Sequence, residues 1–126
     1  MLDKNHIFSD RQAITVDAAS TNAIKNPAST HQIDQAVKHF KLMVCVAVAW
    51  TTGTSVVVSL QDSADGVTYA DTIIKAASML AASLIAGYVI IQPYLPAGLR
   101  QYLQVYYDVT CTFDATSLVY AWIDVD

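Results

Sequence analysis

LPAGLRQYLQVYYDV, residues 95–109, joins a Pro/Gly turn to a run whose character alternates residue by residue. Leu103, Val105, Tyr107 and Val109 fall on one side of an extended chain and Tyr102, Gln104, Tyr106 and Asp108 on the other. That period of two is what a β-strand shows when its two faces meet unlike surroundings. The second side still carries Tyr102 and Tyr106. A strand that is sticky on both sides has something against both, so the function of this chain is predicted to be a matter of partners.

The same alternation recurs on either side of that strand. From Lys41, Leu42, Val44, Val46, Val48 and Trp50 share one face and Met43, Cys45, Ala47 and Ala49 the other. Near the end, Val119, Ala121, Ile123 and Val125 oppose Leu118, Tyr120 and Trp122. Both faces are apolar in each case, which places these strands centrally or at an interface. TTGT at 51–54 turns into Thr54–Gln61, where Val56, Val58 and Leu60 face the core; the connection is a hairpin or a crossover between sheets. DSADG at 62–66 reads as a turn, followed by a strand over Val67–Lys75 containing Tyr69, Ile73 and Ile74. Further strands are expected at Ile14–Val16, Thr21–Ile24 and Gly87–Tyr94, and residues 1–13 read as an N-terminal arm or first edge strand. Residues 25–39, with Pro27 and many polar side chains, read as the main loop, ahead of a helix built on Ile33, Val37 and Phe40. Residues 76–86 suit a helix or an extended chain equally. The whole predicts a single all-β domain over residues 1–126, a jelly-roll-like antiparallel β-sandwich of about eight strands.

Composition agrees and excludes several functions. All 11 acidic residues are aspartate and none is glutamate, whereas Val and Thr together number 25, a usage that favours strands and turns over surface helices. The net charge is −4 and the seven Lys and Arg are scattered, so there is no electrostatic footprint for nucleic acid. With 54% hydrophobic and 14% charged residues, apolar surface is left over once one small core is filled, and self-association or docking would cover it. Two windows without charge, Leu42–Gln61 and Ala76–Leu99, are long enough to span a bilayer. Their internal Gly, Pro, Thr and Ser residues and strand-like alternation argue against a membrane segment. MLDKNHIFSDRQ contains no apolar signal core, so a protein made and kept in the cytoplasm until it assembles is expected.

Sites of chemistry are not suggested. Cys45 and Cys111 lack zinc or redox spacing and read as buried free thiols. His6, His31 and His39 have no ligand cluster around them, and no G-x-S-x-G nucleophile turn is present. Asp62, Asp65 and Gly66 form a plain Asp-Gly turn rather than a calcium loop, which would require a later glutamate. No enzyme activity, cofactor or metal is expected. The aromatic set, including Trp50, Tyr69, Tyr102, Tyr106, Tyr120 and Trp122, reads first as core or protein interface and second as a sugar-stacking platform of a carbohydrate-binding sandwich used in host recognition.

FSDRQAIT at 8–15 leading into STNAI at 20–24, then SLQDSADG, LIAGYVI, LPAGLRQYLQVYY, TFDA and AWIDV, occur in an order and spacing that resembles the capsid cement, or decoration, proteins of tailed bacteriophages, as in a Bordetella podovirus. The resemblance spans nearly the whole chain and departs from the family in 25–39, where glycine is usual. It implies a jelly-roll-like homotrimer on the outer surface of an icosahedral head, bridging major capsid protein subunits. On that reading the N-terminal Leu2, Ile7 and Phe8, with the exposed aromatics, make the contacts.

Overall fold

In the computed structural model, which describes residues 7–25, 40–91 and 100–125, the chain forms ten strand segments. They are β1 (Ile7–Ala13), β2 (Ala18–Ala19), β3 (Ile24–Lys25), β4 (Phe40–Val48), β5 (Ser55–Ser63), β6 (Ala70–Lys75), β7 (Met79–Leu80), β8 (Val89–Ile91), β9 (Tyr102–Thr110) and β10 (Leu118–Val125). One sheet runs β1-β10-β4-β8; the other runs β2-β9-β5-β6, with β3 also on β9 and β7 also on β5. Every pairing is antiparallel.

Register settles the topology. β5 occupies one edge of β9 from Tyr102 to Thr110, so β2 and β3 must share its other edge and act as one interrupted strand. By the same reasoning β6 and β7 share the far edge of β5. The ten segments therefore fill eight positions, first-eighth-third-sixth in one sheet and second-seventh-fourth-fifth in the other, which is the jelly-roll order.

The core lies between the sheets and is supplied by the alternation read above. Leu103, Val105 and Tyr107 of β9, Val56, Val58 and Leu60 of β5, Leu42, Val44 and Val46 of β4, and Val119, Ala121 and Ile123 of β10 are all buried. TTGT is the crossover form, carrying the chain from β4 in one sheet to β5 in the other. Gly53 is required there, because a Cβ on it would lie 2.5 Å from the ring of buried Phe113, itself edge-on to Trp50.

One buried hydroxyl bridges the two sheets toward the edge strand β1. The Tyr107 hydroxyl lies 2.9 Å from Ser9 Oγ, across the two sheets. Ser9 has one proton and donates it to Gln12 Oε1 at 2.7 Å, so Tyr107 is the donor to Ser9. Gln12 in turn accepts from the Thr21 N–H and donates to the Ala19 carbonyl, and the Asn22 N–H donates to Phe8 O. The edge where β1 and β2 adjoin is thereby laced shut, and its bulges between Ile7 and Gln12 blunt it further.

Several expectations are corrected. Of the two readings of the N-terminal stretch, residues 7–13 take the first edge strand and not the arm; residues 1–6 lie outside the described residues, as do 26–39 of the expected main loop and the LPAG turn. No strand forms at Ile14–Val16: the β1-β10 ladder ends at Ala13, one further bond runs from Ile14 N–H to Ser117 O, and the chain then bends away with Ile14 buried and Val16 56% exposed. The strand expected from Val67 begins only at Ala70, since Asp65 Oδ1 takes the Val67 and Thr68 N–H groups out of any ladder. The ambiguous 76–86 run resolves into β7 and a single 3-10 turn, Ala81–Ser83. Cys111 is exposed rather than buried, with φ of 65° at the end of β9; Cys45 is half-buried, and both are free thiols.

Replacing Tyr107 by Phe should lower stability by about 0.5–1.5 kcal/mol, the net worth of one hydrogen bond, whereas Tyr107→Ala should cost about 3–5 kcal/mol by leaving a core cavity. Chemical denaturation of the two variants checks the ratio. Equal losses would mean that the ring, and not the hydroxyl, has been misplaced.

Candidate functional site

With the inward residues committed to the core, the outward rows are what the sandwich offers to partners, and its two sheets offer unlike surfaces. On the outside of the β9-β5 sheet, residues opposite one another are Tyr106 and Ser59, Gln104 and Gln61, and Tyr102 and Ser63. Gln104 Nε2 donates to Gln61 Oε1 at 2.6 Å, and Gln61 Nε2 and Ser59 Oγ both donate to Asp71 Oδ1. This face is a hydrogen-bonded polar net. The Tyr106 phenol is pushed up by burial first, and then by the negative charges of Asp17, Asp108 and Asp71. The face is acidic as well as polar.

Its lower corner is braced by one ion pair. The Arg100 guanidinium lies 3.0 Å from Asp62 Oδ1 and also donates to the Asp62 carbonyl, while the Arg100 N–H donates to Asp62 Oδ2. The side-chain bond from Arg100 is the main cause that lowers the Asp62 carboxyl below its ordinary value, with burial opposing it. Asp65 organises the adjoining turn: it accepts the Val67 and Thr68 N–H groups and the Ser63 hydroxyl, and its pKa falls to about 2. Gly66, with φ of +79°, lets this turn pass against the Tyr102 ring. Tyr69 is half-buried close by, its phenol raised by burial and then by Asp65 and Tyr102.

The outside of the β1-β10-β4-β8 sheet is different. Ile7 lies opposite Trp122 and Trp122 opposite Met43, a row across three strands. Tyr120 lies opposite Cys45 and Cys45 opposite Val89, a second row. The side chains in these rows are half-buried or, at Val89, 36% exposed. Burial raises the Cys45 thiol above its ordinary value. Beside β4 the chain from Leu84 to Ile91 runs as an irregular edge, bonded through Trp50 N–H to Leu84 O, Val46 N–H to Tyr88 O and Gly87 N–H to Val46 O. It carries no charge and exposes 61% of Ile85.

The expected contact residues thus divide. Ile7, Tyr120 and Trp122 come together on the apolar face, and Tyr69, Tyr102 and Tyr106 on the acidic one. Phe8 and Trp50 are corrected: at 0% and 2% exposure they are core residues, Trp50 anchored by donating from Nε1 to Leu118 O. Leu2 lies outside the described residues, as do His6, His31 and His39. Met43, Cys45 and Val89 were missing from the expected contact set, although the alternation of the β4 stretch already put Met43 and Cys45 together on one of its two apolar faces.

No group of three or more His, Cys, Asp or Glu among the described residues could hold a metal ion, and no helix among them is long and apolar enough to cross a membrane. An open cleft lined by Val16, Asp17, Val109, Cys111 and Thr112 holds one carboxylate, which accepts the Val109 N–H at 2.7 Å.

Compared with known families, residues 8–119 match the family model described as Bbp16. No curated protein matches the chain.

The Asp65 turn carries a pH signature. Its folded pKa of about 2 lies below the ordinary aspartate value of about 3.9, so its contribution to stability is complete above the higher value and is lost as pH falls through the lower. Melting temperature measured from about pH 5 down to pH 2 should therefore fall less steeply for Asp65→Asn than for the parent protein. Parallel curves would remove Asp65 from the account.

Proposed function

The chain belongs to the Bbp16 family of Bordetella phage proteins, and from that premise we propose that it is a capsid cement protein, a decoration of the outer surface of an icosahedral phage head. The observation that carries this reading is the match over residues 8–119 to a phage protein family on a jelly roll whose outward rows remain apolar after its core is complete. Such a protein has no bond to make or break. It works by burying surface across the junctions between major capsid protein subunits and by joining its own copies, as a homotrimer on the family resemblance.

Thermodynamically, a protein that binds the assembled shell and not the free subunits stabilises the shell by mass action, by about 2.7 kcal/mol per site when its free concentration is 100 times Kd. Copies that are joined to one another also rebind intramolecularly, so modest contacts hold a head under pressure. No nucleic acid, membrane, metal or cofactor enters this mechanism.

Purified protein mixed with undecorated phage heads should sediment with them to saturation, and the decorated heads should withstand heating or chelation that opens bare ones. Protein that stays in the supernatant at every concentration and salt tested would contradict the proposal. Saturable binding to a glycan array under the same conditions would favour the carbohydrate-binding reading instead.

A further inference from the structure

We propose that the outer face of the β9-β5-β6 sheet binds saccharide of the neutral pyranoside class, a function separate from the cement role and independent of it. The site runs along β9, where Tyr102, Gln104 and Tyr106 face outward opposite Ser63, Gln61 and Ser59 of β5. Two residues advance a strand by about 6.6 Å, so the two tyrosines stand roughly 13 Å apart with the amides between them, a span that a short oligosaccharide covers.

The rings are held ready to stack. A Cβ on Gly66 would lie 3.5–3.6 Å from three atoms of the Tyr102 ring, nearly equidistant, so the turn packs on one face of that ring and not on its edge. Ser59 is only 4% exposed although it points out of the sheet, because its larger neighbours, with Tyr106 directly opposite, lie over it. Both tyrosines are half-buried and offer their remaining surface to solvent. The negative face of a phenol ring attracts the C–H face of a pyranose.

Between the rings runs a directional chain of hydrogen bonds. Gln104 Nε2 donates to Gln61 Oε1 at 2.6 Å, and Gln61 Nε2 donates to Asp71 Oδ1 at 3.0 Å, which also takes the Ser59 hydroxyl. Each amide nitrogen carries a second proton, and the carboxylate a second oxygen. Neighbouring sugar hydroxyls, each both donor and acceptor, match such a row.

This order of groups selects saccharide over protein. Protein interfaces place apolar and aromatic side chains at the centre and polar ones at the rim. Here two amides and a carboxylate are central and the aromatic rings flank them. A flat protein surface would bury those polar groups short of partners, at a cost, whereas a ligand dense in hydroxyls supplies a partner for each. Charge sets the class of sugar: Asp17, Asp71 and Asp108 all act on Tyr106, so uronic and sialic acids are repelled and neutral pyranosides are not.

A glycan array carrying neutral and acidic oligosaccharides, with the bound glycans titrated by NMR into isotope-labelled protein, tests this. The expected result is saturable binding of neutral glycans, with shifts of the Gln61 and Gln104 side-chain amides and none of the Trp122 indole. Tyr106→Ala and Gln104→Ala should each weaken binding about tenfold, with the rest of the spectrum confirming the fold. No glycan bound at millimolar concentration would overturn the proposal, as would a preference for acidic glycans or shifts confined to the outside of β4 and β10. Protection of Tyr102 and Tyr106 on phage heads would overturn it too, by showing a protein as the occupant. Sedimentation with heads reports on the cement reading alone: glycan binding together with head binding gives the chain both roles, and glycan binding without it leaves saccharide recognition as the function.

Discussion

A buried hydroxyl pair, Tyr107 on β9 and Ser9 on β1, ties the two sheets together where the apolar core meets the polar lacing of Gln12 along the edge. A phenol at that depth must be satisfied, and its partner must come from the opposite sheet. Ser9 can serve only because the bulged β1 turns it inward beside Phe8, and Gln12 then carries the chain of bonds on to Ala19 and Thr21. The first strand, the interrupted second position and the seventh are locked in one arrangement. Burial accordingly pushes the Tyr107 phenol above its ordinary value, which favours the protonated hydroxyl that donates to Ser9.

The alternation of the long strands comes from their pleat, and the phase in which they are held decides what is left for partners. A one-residue slip would exchange the inner and outer rows of every strand involved. With Leu103, Val105 and Tyr107 fixed inward, Tyr102, Gln104 and Tyr106 must face out over a polar, acidic net. With Leu42, Val44 and Val46 inward, Met43 and Cys45 must face out beside Tyr120 and Trp122. The unlike character of the two exteriors is thus a consequence of sequence phase, and it gives one small protein two surfaces of different chemistry.

Much of this was legible in the sequence, because β4, β5, β9 and β10 are long and alternate. Period sorted each into its two faces and gave the inward side of β5 and β9, whereas on β4 and β10, apolar on both faces, which side met the core was left open until the sandwich closed. Where reading failed, a non-local bond or a side-chain cap had won. Ile14 and Val16 are β-branched, yet the chain leaves β10 just after Ala13, with one last cross-strand bond from Ile14 N–H to Ser117 O. Val67 and Thr68 have good strand propensity, but Asp65 claims their backbone. Phe8 and Trp50 look like contact aromatics in sequence, which cannot say that the sandwich closes over them. The partnership of Ser9 with Tyr107 had no sequence signal at all, being a pair of ordinary residues 98 positions apart.

The central claim is that the apolar exterior of the β1-β10-β4-β8 sheet is a working surface, covered when the protein assembles. Hydroxyl-radical footprinting of dilute free protein and of protein bound to phage heads measures that directly. The account predicts that Trp122 and Met43 are oxidised in the free protein and protected on heads, while buried Trp50 and Tyr107 are unreactive in both. Trp122 and Met43 equally reactive in the two states would contradict it.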